Sequence, residues 1–317
     1  MANPGGNFYL IPTAQATVAR RLGLLLFVRG SLREHVPALD DFFRCLGVSH
    51  FAGSLRRQRG LADLAWSDIP TKLGNTAFGE MFGFPPDNAG PWGLELAADE
   101  REGSRTHAAS IEIVDVGSIF NGERASYIRV IFADGAPTTE IATLSNWIVH
   151  NFPLWWGTAG WFFHYTAGSR HAAGLQIAAQ AKRHWAVQIQ DPSSLQWSSL
   201  QGIPSIAWLT LLGHEFAKSK QVDLRALATP IGAPGEELFT RLGDQGLVIA
   251  AGAKPITGDV NVGESLEGYR RVAAFLEPLF LETLDPLPGP LSKLGVRSSW
   301  LRRFHDSSAW LECDISD

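Results

Sequence analysis

Apolar positions along the chain recur with two periods, and the switches between them outline its elements. The run Leu22–Val28, closed by Arg29, predicts a buried strand over Arg21–Val28. Downstream, Val36, Leu39, Phe42, Phe43 and Leu46 share one helical face, with Ser31 as a cap. Pro37 prefers a first turn, which allows that helix to start as late as residue 36. Residues 52–64, with Arg56, Arg57, Arg59 and Asp63, are polar and carry no period. Trp92–Leu96, Ser110–Val116 and Ser126–Phe132 read as three strands of an antiparallel meander. Thr138–His150 is a second helix, striped by Ile141, Leu144, Trp147 and Ile148.

The aromatic run Thr158–Thr166 suits a buried strand, and a helix over Ser169–His184 follows with Leu175, Ile177 and Ala178 on its inner side. Residues 191–213 read as irregular. Glu237–Leu242 and Gly246–Ala250 are predicted as strands joined by the turn Gly243-Asp244-Gln245-Gly246. Glu264–Phe280 is a helix with Tyr269, Val272, Phe275 and Leu276 inward, and Ser298–Phe304 is a short helical run after a Pro-rich stretch. A strand, a polar link and an amphipathic helix recur at 21–46, 126–150 and 246–280. Strands clustered into hairpin-like sets favour an α+β fold with antiparallel sheets and packed helices over a doubly wound parallel sheet. The expected organisation is a loose arm over residues 1–18, an α+β lobe over 19–190 and a second α+β lobe over 191–317, with one large domain as the alternative.

Composition narrows the function classes. Lys and Arg number 27 against 32 Asp and Glu, a net charge of −5, whereas a duplex binder carries a basic excess to neutralise phosphates; nucleic acid is not an expected partner. The apolar run at 22–28 is too short to span a membrane and lacks the cleavage pattern of a signal peptide. The expected location is the cytoplasm, with no membrane partner. Cys45 and Cys313 exclude a disulfide framework and a four-cysteine zinc site; they read as two reduced thiols, with one long-range disulfide as the alternative.

Catalytic patterns are not legible. The stretch from Gly246 to Gly252 and Lys254 is one residue too long for a P-loop, and no Lys-Ser or Lys-Thr follows. His164, His171 and His184 match no ligand spacing, and Lys218 stands where a metalloprotease helix starting at His214-Glu215 needs its second histidine. There is no nucleophile elbow and no recognisable Cys/His pair. Glu112 and Asp115 read as part of a solvated strand face. No cofactor, metal or catalytic residue is therefore predicted. Eleven tryptophans are the unusual count, and core, protein interface and ligand stacking are all open to them.

The last third carries an ordered set: Gly202-Ile-Pro-Ser-Ile-Ala-Trp208, then Gly213, then Gly246-Leu-Val-Ile-Ala-Ala-Gly252, then Gly258-Asp259-Val260-Asn261, and finally Tyr269-Arg270-Arg271-Val272-Ala273 with Leu276-Glu277-Pro278-Leu279. In order and spacing this set resembles the type VI secretion immunity family, over about residues 20 to 305, with the tail Ser299-Trp300-Leu301-Arg302-Arg303-Phe304 also similar. The resemblance implies a non-enzymatic inhibitor that binds a cognate effector toxin, a nuclease acting in the cytoplasm. A carbohydrate- or ligand-binding protein and an enzyme of unrecognised type are the alternatives. Gly202, Trp208, Gly213, Gly252, Gly258, Asp259 and Tyr269 are read as scaffold, with Asp259 pinning its own loop. For effector contact the candidates are Asp99, Glu100 and Glu102 flanked by Trp92, because an acidic surface complements a groove built to hold phosphates.

Overall fold

The computed structural model describes residues 18–48, 55, 57–60, 67–68, 90–98, 109–120, 122–165, 170–189, 191–228, 238–285 and 289–315. The arm over residues 1–17, Arg56, Asp63, Ser169, Glu237 and the acidic cluster Asp99, Glu100 and Glu102 lie outside them.

The architecture is α+β. Ten strands form one sheet in the order β3-β2-β4-β5-β6-β1-β7-β8-β10-β9, and every pairing in it is antiparallel. Its centre is β1 (Ala19–Arg29), buried at Leu24–Val28, which is why that run carries no polar alternation. It pairs on one side with β6 (Ala125–Ile131) and on the other with β7 (Trp156–His164). Beyond β6 lie β5 (Ser110–Asp115) and β4 (Trp92–Ala97), completing the predicted meander. Then come two short strands, β2 (Arg57–Gly60) and β3 (Ser67–Asp68). On the other flank β7 is followed by β8 (Leu209–Gly213), β10 (Gly246–Ala250) and the edge strand β9 (Phe239–Leu242).

Each recurring strand–helix unit is present. After β1, Ser31 caps a 3-10 turn over Leu32–His35 by accepting from Arg33 N–H, and α1 (Val36–Val48) then begins with Pro37 in its first turn. After β6 comes α2 (Thr138–Asn151), which packs on α1 and against β8, β9 and β10. α3 (Arg170–Ala181) buries two of its three expected inward positions, Ile177 and Ala178, and exposes the third. Leu175 is 44% exposed, and the buried positions are Ala173, Ile177, Ala178 and Ala181. Those at 173, 177 and 181 keep the four-residue spacing of a helical stripe, so spacing outweighed side-chain size.

The segment read as irregular, 191–213, holds two 3-10 turns and ends in β8, a strand the sequence reading missed. Then follow α4 (His214–Ser219) and α5 (Leu224–Leu227). After β10, α6 runs over Glu267–Leu276 and yields to a 3-10 turn at Glu277–Leu279, where Pro278 takes a first-turn position. α7 (Leu294–Leu301) and α8 (Ser307–Glu312) close the chain. Tyr269, Val272 and Leu276 are buried as predicted, while Phe275 is only half-buried.

Most described tryptophans are core: Trp155, Trp156, Trp185, Trp208, Trp300 and Trp310 are buried. Trp197 is 46% exposed. Cys45 and Cys313 are free. The expectation of a solvated face at Glu112 and Asp115 fails. Asp115 is fully buried, accepting from Leu32 N–H at 2.7 Å and Ser31 Oγ at 2.9 Å and pairing with Arg33 at 3.1 Å, so it ties β5 to the start of the first helical unit. Glu112 is paired with Arg129 across the β5–β6 register and accepts from the Tyr127 hydroxyl at 2.6 Å.

Candidate partner-binding surface

The ordered positions of the last third each make a defined local contact. Gly202 lies against the backbone of Leu279–Leu281, and beside it Ile203 N–H donates to Leu279 O at 2.9 Å while Ile203 O accepts from Leu281 N–H at 3.0 Å. The Trp208 indole donates to Gly252 O at 2.8 Å, closing the link between β8 and the end of β10. Tyr269 is buried on α6 with its ring 5.6 Å from Phe304, and burial pushes its hydroxyl pKa up. Gly258 has φ +68, and a Cβ there would stand 2.7 Å from Ala186 N, so both conformation and space call for glycine. A Cβ on Gly213 would fall 1.7 Å from Leu154 O. At Gly252 the nearest atom would be 3.9 Å away.

Asp259 begins a short 3-10 turn and accepts from Asn261 N–H at 3.0 Å. It also receives the Arg183 guanidinium, Nε to Oδ1 at 2.9 Å and Nη2 to Oδ2 at 2.6 Å, a two-pronged geometry of the strong kind. Glu264 Oε2 accepts from Asp259 N–H at 2.8 Å and from Thr257 Oγ1 at 3.1 Å. That bond turns Glu264 back into the loop, and α6 begins at Glu267 instead of Glu264. The buried His184 ring lies 2.9 Å from Arg20 Nη1 at its Nε2, so β1 also reaches this lock.

Against the lock lies a cleft of about 320 Å³, lined among others by Trp185, Val260, Glu264, Glu267, Arg270 and Leu311. Val262, 69% exposed, and Leu311, 58% exposed, are apolar side chains on this part of the surface. The combination of apolar surface and carboxylates belongs to a protein-facing surface more than to a reaction centre. Among the described residues no group of three or more His, Cys, Asp or Glu could hold a metal ion.

The lock titrates in a defined order. Burial, and then the Arg20 charge, lower the His184 pKa; burial lowers that of His35 against the pull of Glu34. A histidine whose pKa falls on folding stabilises the native state fully above its ordinary value of 6.5, and that contribution is lost as pH falls below it. The hydrogen bond from Arg183 holds the Asp259 carboxyl at about 2, against burial. Its contribution is present above its ordinary value of 3.8 and is lost between there and about 2. The urea midpoint is therefore expected to hold steady around neutral pH and to start falling below the histidine value. His184→Gln should flatten that first decline; an identical pH profile for the variant would refute the assignment.

Trp92, the one contact candidate among the described residues, lies elsewhere. Trp92 heads β4, opposite Asp115, half-buried and packed on the core. It stands five strand positions from β8, about 24 Å at ordinary strand spacing. The motif positions and Trp92 are thus not brought together. Arg183, Glu264 and Arg303, which complete the motif region, were not singled out in the sequence. Arg183 was legible only as the neighbour of His184, because its partner Asp259 is 76 residues away.

The comparisons cover this same region. A model of the family TsiV, described as type VI immunity for VRR-NUC, matches residues 130–304, from the end of β6 to beyond α7. The chain belongs to the TsiV family. Gly202, Trp208, Gly213, Gly252, Gly258, Asp259 and Tyr269 all lie within the TsiV match, and so do Arg183, Glu264 and Arg303. Trp92 and the meander strands β4 and β5 precede it. The Pseudomonas aeruginosa T6SS protein PA0821 has a similar solved structure, with a TM-score of 0.72 and 18% identity over 90% of this chain and 82% of that one. That likeness shows the fold. No curated protein sequence matches the chain.

Proposed function

We propose that this TsiV-family chain binds and neutralises a cognate type VI effector of the VRR-NUC nuclease class, as a non-enzymatic inhibitor. The observation that carries the reading is the family match over residues 130–304. A nuclease acts where the nucleic acid is, so the inhibitor belongs in the cytoplasm. Among the described residues no helix is long and apolar enough to cross a membrane.

The net charge of −5 supports electrostatic steering toward a groove that holds phosphates. Asp99, Glu100 and Glu102, flanked by Trp92, remain the acidic contact candidates. Co-expression with the VRR-NUC protein encoded beside this gene is expected to rescue growth, and a tagged copy should retain that protein through a pull-down. Growth arrest with no complex would overturn the reading. Within the complex, reversing all three acidic charges should slow association, most visibly at low salt; unchanged association would remove this cluster from the interface.

A further inference from the structure

One arginine in the structure is held ready for a partner that the chain itself does not supply. Arg124 lies in the turn before β6, with its guanidinium 3.9 Å from the centroid of the Trp197 ring and 4.1 Å from that of Phe120. The two rings meet at 5.9 Å and 75°, so they grip the cation between them. The turn and the segment at 196–197 are joined by the bond from Ala125 N–H to Gln196 O at 2.8 Å, which fixes the clamp on the sheet. This is a rigid arrangement, because stacking restrains the long side chain before any partner arrives.

The clamp carries an unanswered charge. Arg183 and Arg129 are answered by Asp259 and Glu112, whereas among the described residues Arg124 finds no ion pair and no side-chain hydrogen bond. Its Nε–H is buried against the protein without an acceptor, and the buried Gln196 amide nitrogen nearby is equally unsatisfied. Glu123, the adjacent acid, is exposed and does not pair with it. Ile119, next to Phe120 in the same 3-10 turn, is 53% exposed, and Trp197 is half-exposed. On the same rim, Arg29 reaches Gly122 O and lies 5.4 Å over the Trp155 ring.

We infer that Arg124, clamped between Phe120 and Trp197, is the anchor through which this chain grips a carboxylate on the surface of its effector, with Ile119 covering the contact. The inference rests on the immunity reading and adds the partner's chemistry to it. Charge complementarity selects an Asp or Glu side chain with apolar neighbours, since a preorganised guanidinium fits a carboxylate through two parallel N–H bonds. Tryptophan and arginine at the centre of a contact are the residue types that carry most binding energy. The clamp also joins Trp197, inside the family-matched region, to Phe120 and Arg124, which precede it.

The test uses the full chain and a catalytically inactivated form of the VRR-NUC protein encoded beside this gene. Arg124→Ala and Trp197→Ala are each expected to weaken binding by about 30-fold or more, through faster dissociation. Arg124→Lys should recover only part of the loss, because a point charge cannot make the two-pronged contact. Arg124→Ala should unfold within a few degrees of wild type, while Trp197→Ala, which removes a half-buried ring, should unfold somewhat lower yet remain folded at the binding temperature. A photo-crosslinking residue in place of Ile119 should link to the effector. Wild-type binding with unchanged affinity in Arg124→Ala, or no crosslink from 119, would overturn the clamp and leave the immunity reading standing. No binding by wild type would overturn both. A shift of the variant from dimer to monomer with effector affinity intact would assign the clamp to self-association and overturn it as an effector anchor.

Discussion

Gly213→Ala is expected to destabilise the protein by at least about 3 kcal/mol, beyond the usual range for overpacking. Gly213 ends β8 where it crosses the entry to β7. An alanine Cβ there would stand 1.7 Å from Leu154 O, 2.7 Å from Leu154 C and 2.8 Å from Trp155 O. All three are backbone atoms, so no side-chain rotation relieves the clash. Relief requires β8 to move away from β7, which breaks the bond from Gly213 N–H to Trp155 O at 2.9 Å and disturbs the pairing of Gly213 with Gly246 in β10. A Cβ at Gly246 would itself meet Leu212 O at 2.3 Å, so the partner strand cannot retreat toward that side. The midpoint of thermal unfolding should fall by roughly 6 °C or more. Gly295→Ala is the matched control. Gly295 lies in α7 with no atom within 4 Å of the built Cβ, and alanine there should stabilise by about 0.5–1 kcal/mol. Equal effects from the two substitutions would show that the backbone approach at Gly213 is not what the fold depends on.

How much of the fold the sequence discloses depends on where each element's partners lie. β1 was legible because burial on both faces leaves an unbroken apolar run, and β5 because its burial alternates strictly. β10 was legible for the first reason. β2 was not: Arg57-Gln58-Arg59-Gly60 has no apolar period, and it stays in the sheet through cross-strand ion pairs of Arg59 with Glu95 and Arg57 with Asp68. β8 was hidden for another reason. Leu209–Gly213 is a short, wholly buried, leucine-rich run without the Val248-Ile249 pair that marks β10, so periodicity alone cannot separate it from a buried helical segment. The central place of β1, between β6 and β7, is a fact of pairing at a distance and leaves no local trace.

The surface was legible in part. Order and spacing pointed to the positions around Asp259, each of which makes a defined local contact. The residues that complete that region did not announce themselves, because each is defined by distant partners. Arg183 is an ordinary charged residue at a helix end until Asp259 is brought to it. Arg124 stands in a polar turn, and only the 3-10 segment carrying Trp197 turns it into a clamped cation. A tryptophan count signalled excess aromatic surface without saying which ring is exposed. The acidic cluster, read from density of charge alone, involved no spatial information at all.

Arg303 presents the sharper energetic question, because burying its charge works against stability while its bonds work for it. The side chain is fully buried. Its Nε donates to Trp185 O at 2.7 Å, Nη1 to Trp300 O at 3.0 Å and Nη2 to Ser205 Oγ at 2.8 Å. The guanidinium lies 3.5 Å from the Trp300 ring centroid, and no carboxylate answers it. Burial pushes its pKa well down, with Tyr269 opposing. One group therefore staples three segments, at Trp185, at Ser205 and at Trp300–Arg303. Arg303→Met keeps much of the volume and removes the charge, which recovers desolvation energy. It also leaves the Trp185 carbonyl and the Ser205 hydroxyl buried without that donor, at roughly 1–3 kcal/mol each, while Trp300 O keeps the Arg303 backbone N–H at 3.2 Å; the stacking on Trp300, worth up to about 2 kcal/mol in a dry site, is forfeited as well. The losses outnumber the gain, and the expected net destabilisation is about 3 kcal/mol. Urea unfolding of the variant checks it at constant slope. Faster amide exchange should appear first around Trp185 and Ser205, where the staple's ends are released. A variant as stable as wild type would mean that charge burial offsets all three bonds, and Arg303 would then be holding the geometry of the Asp259 region without stabilising it.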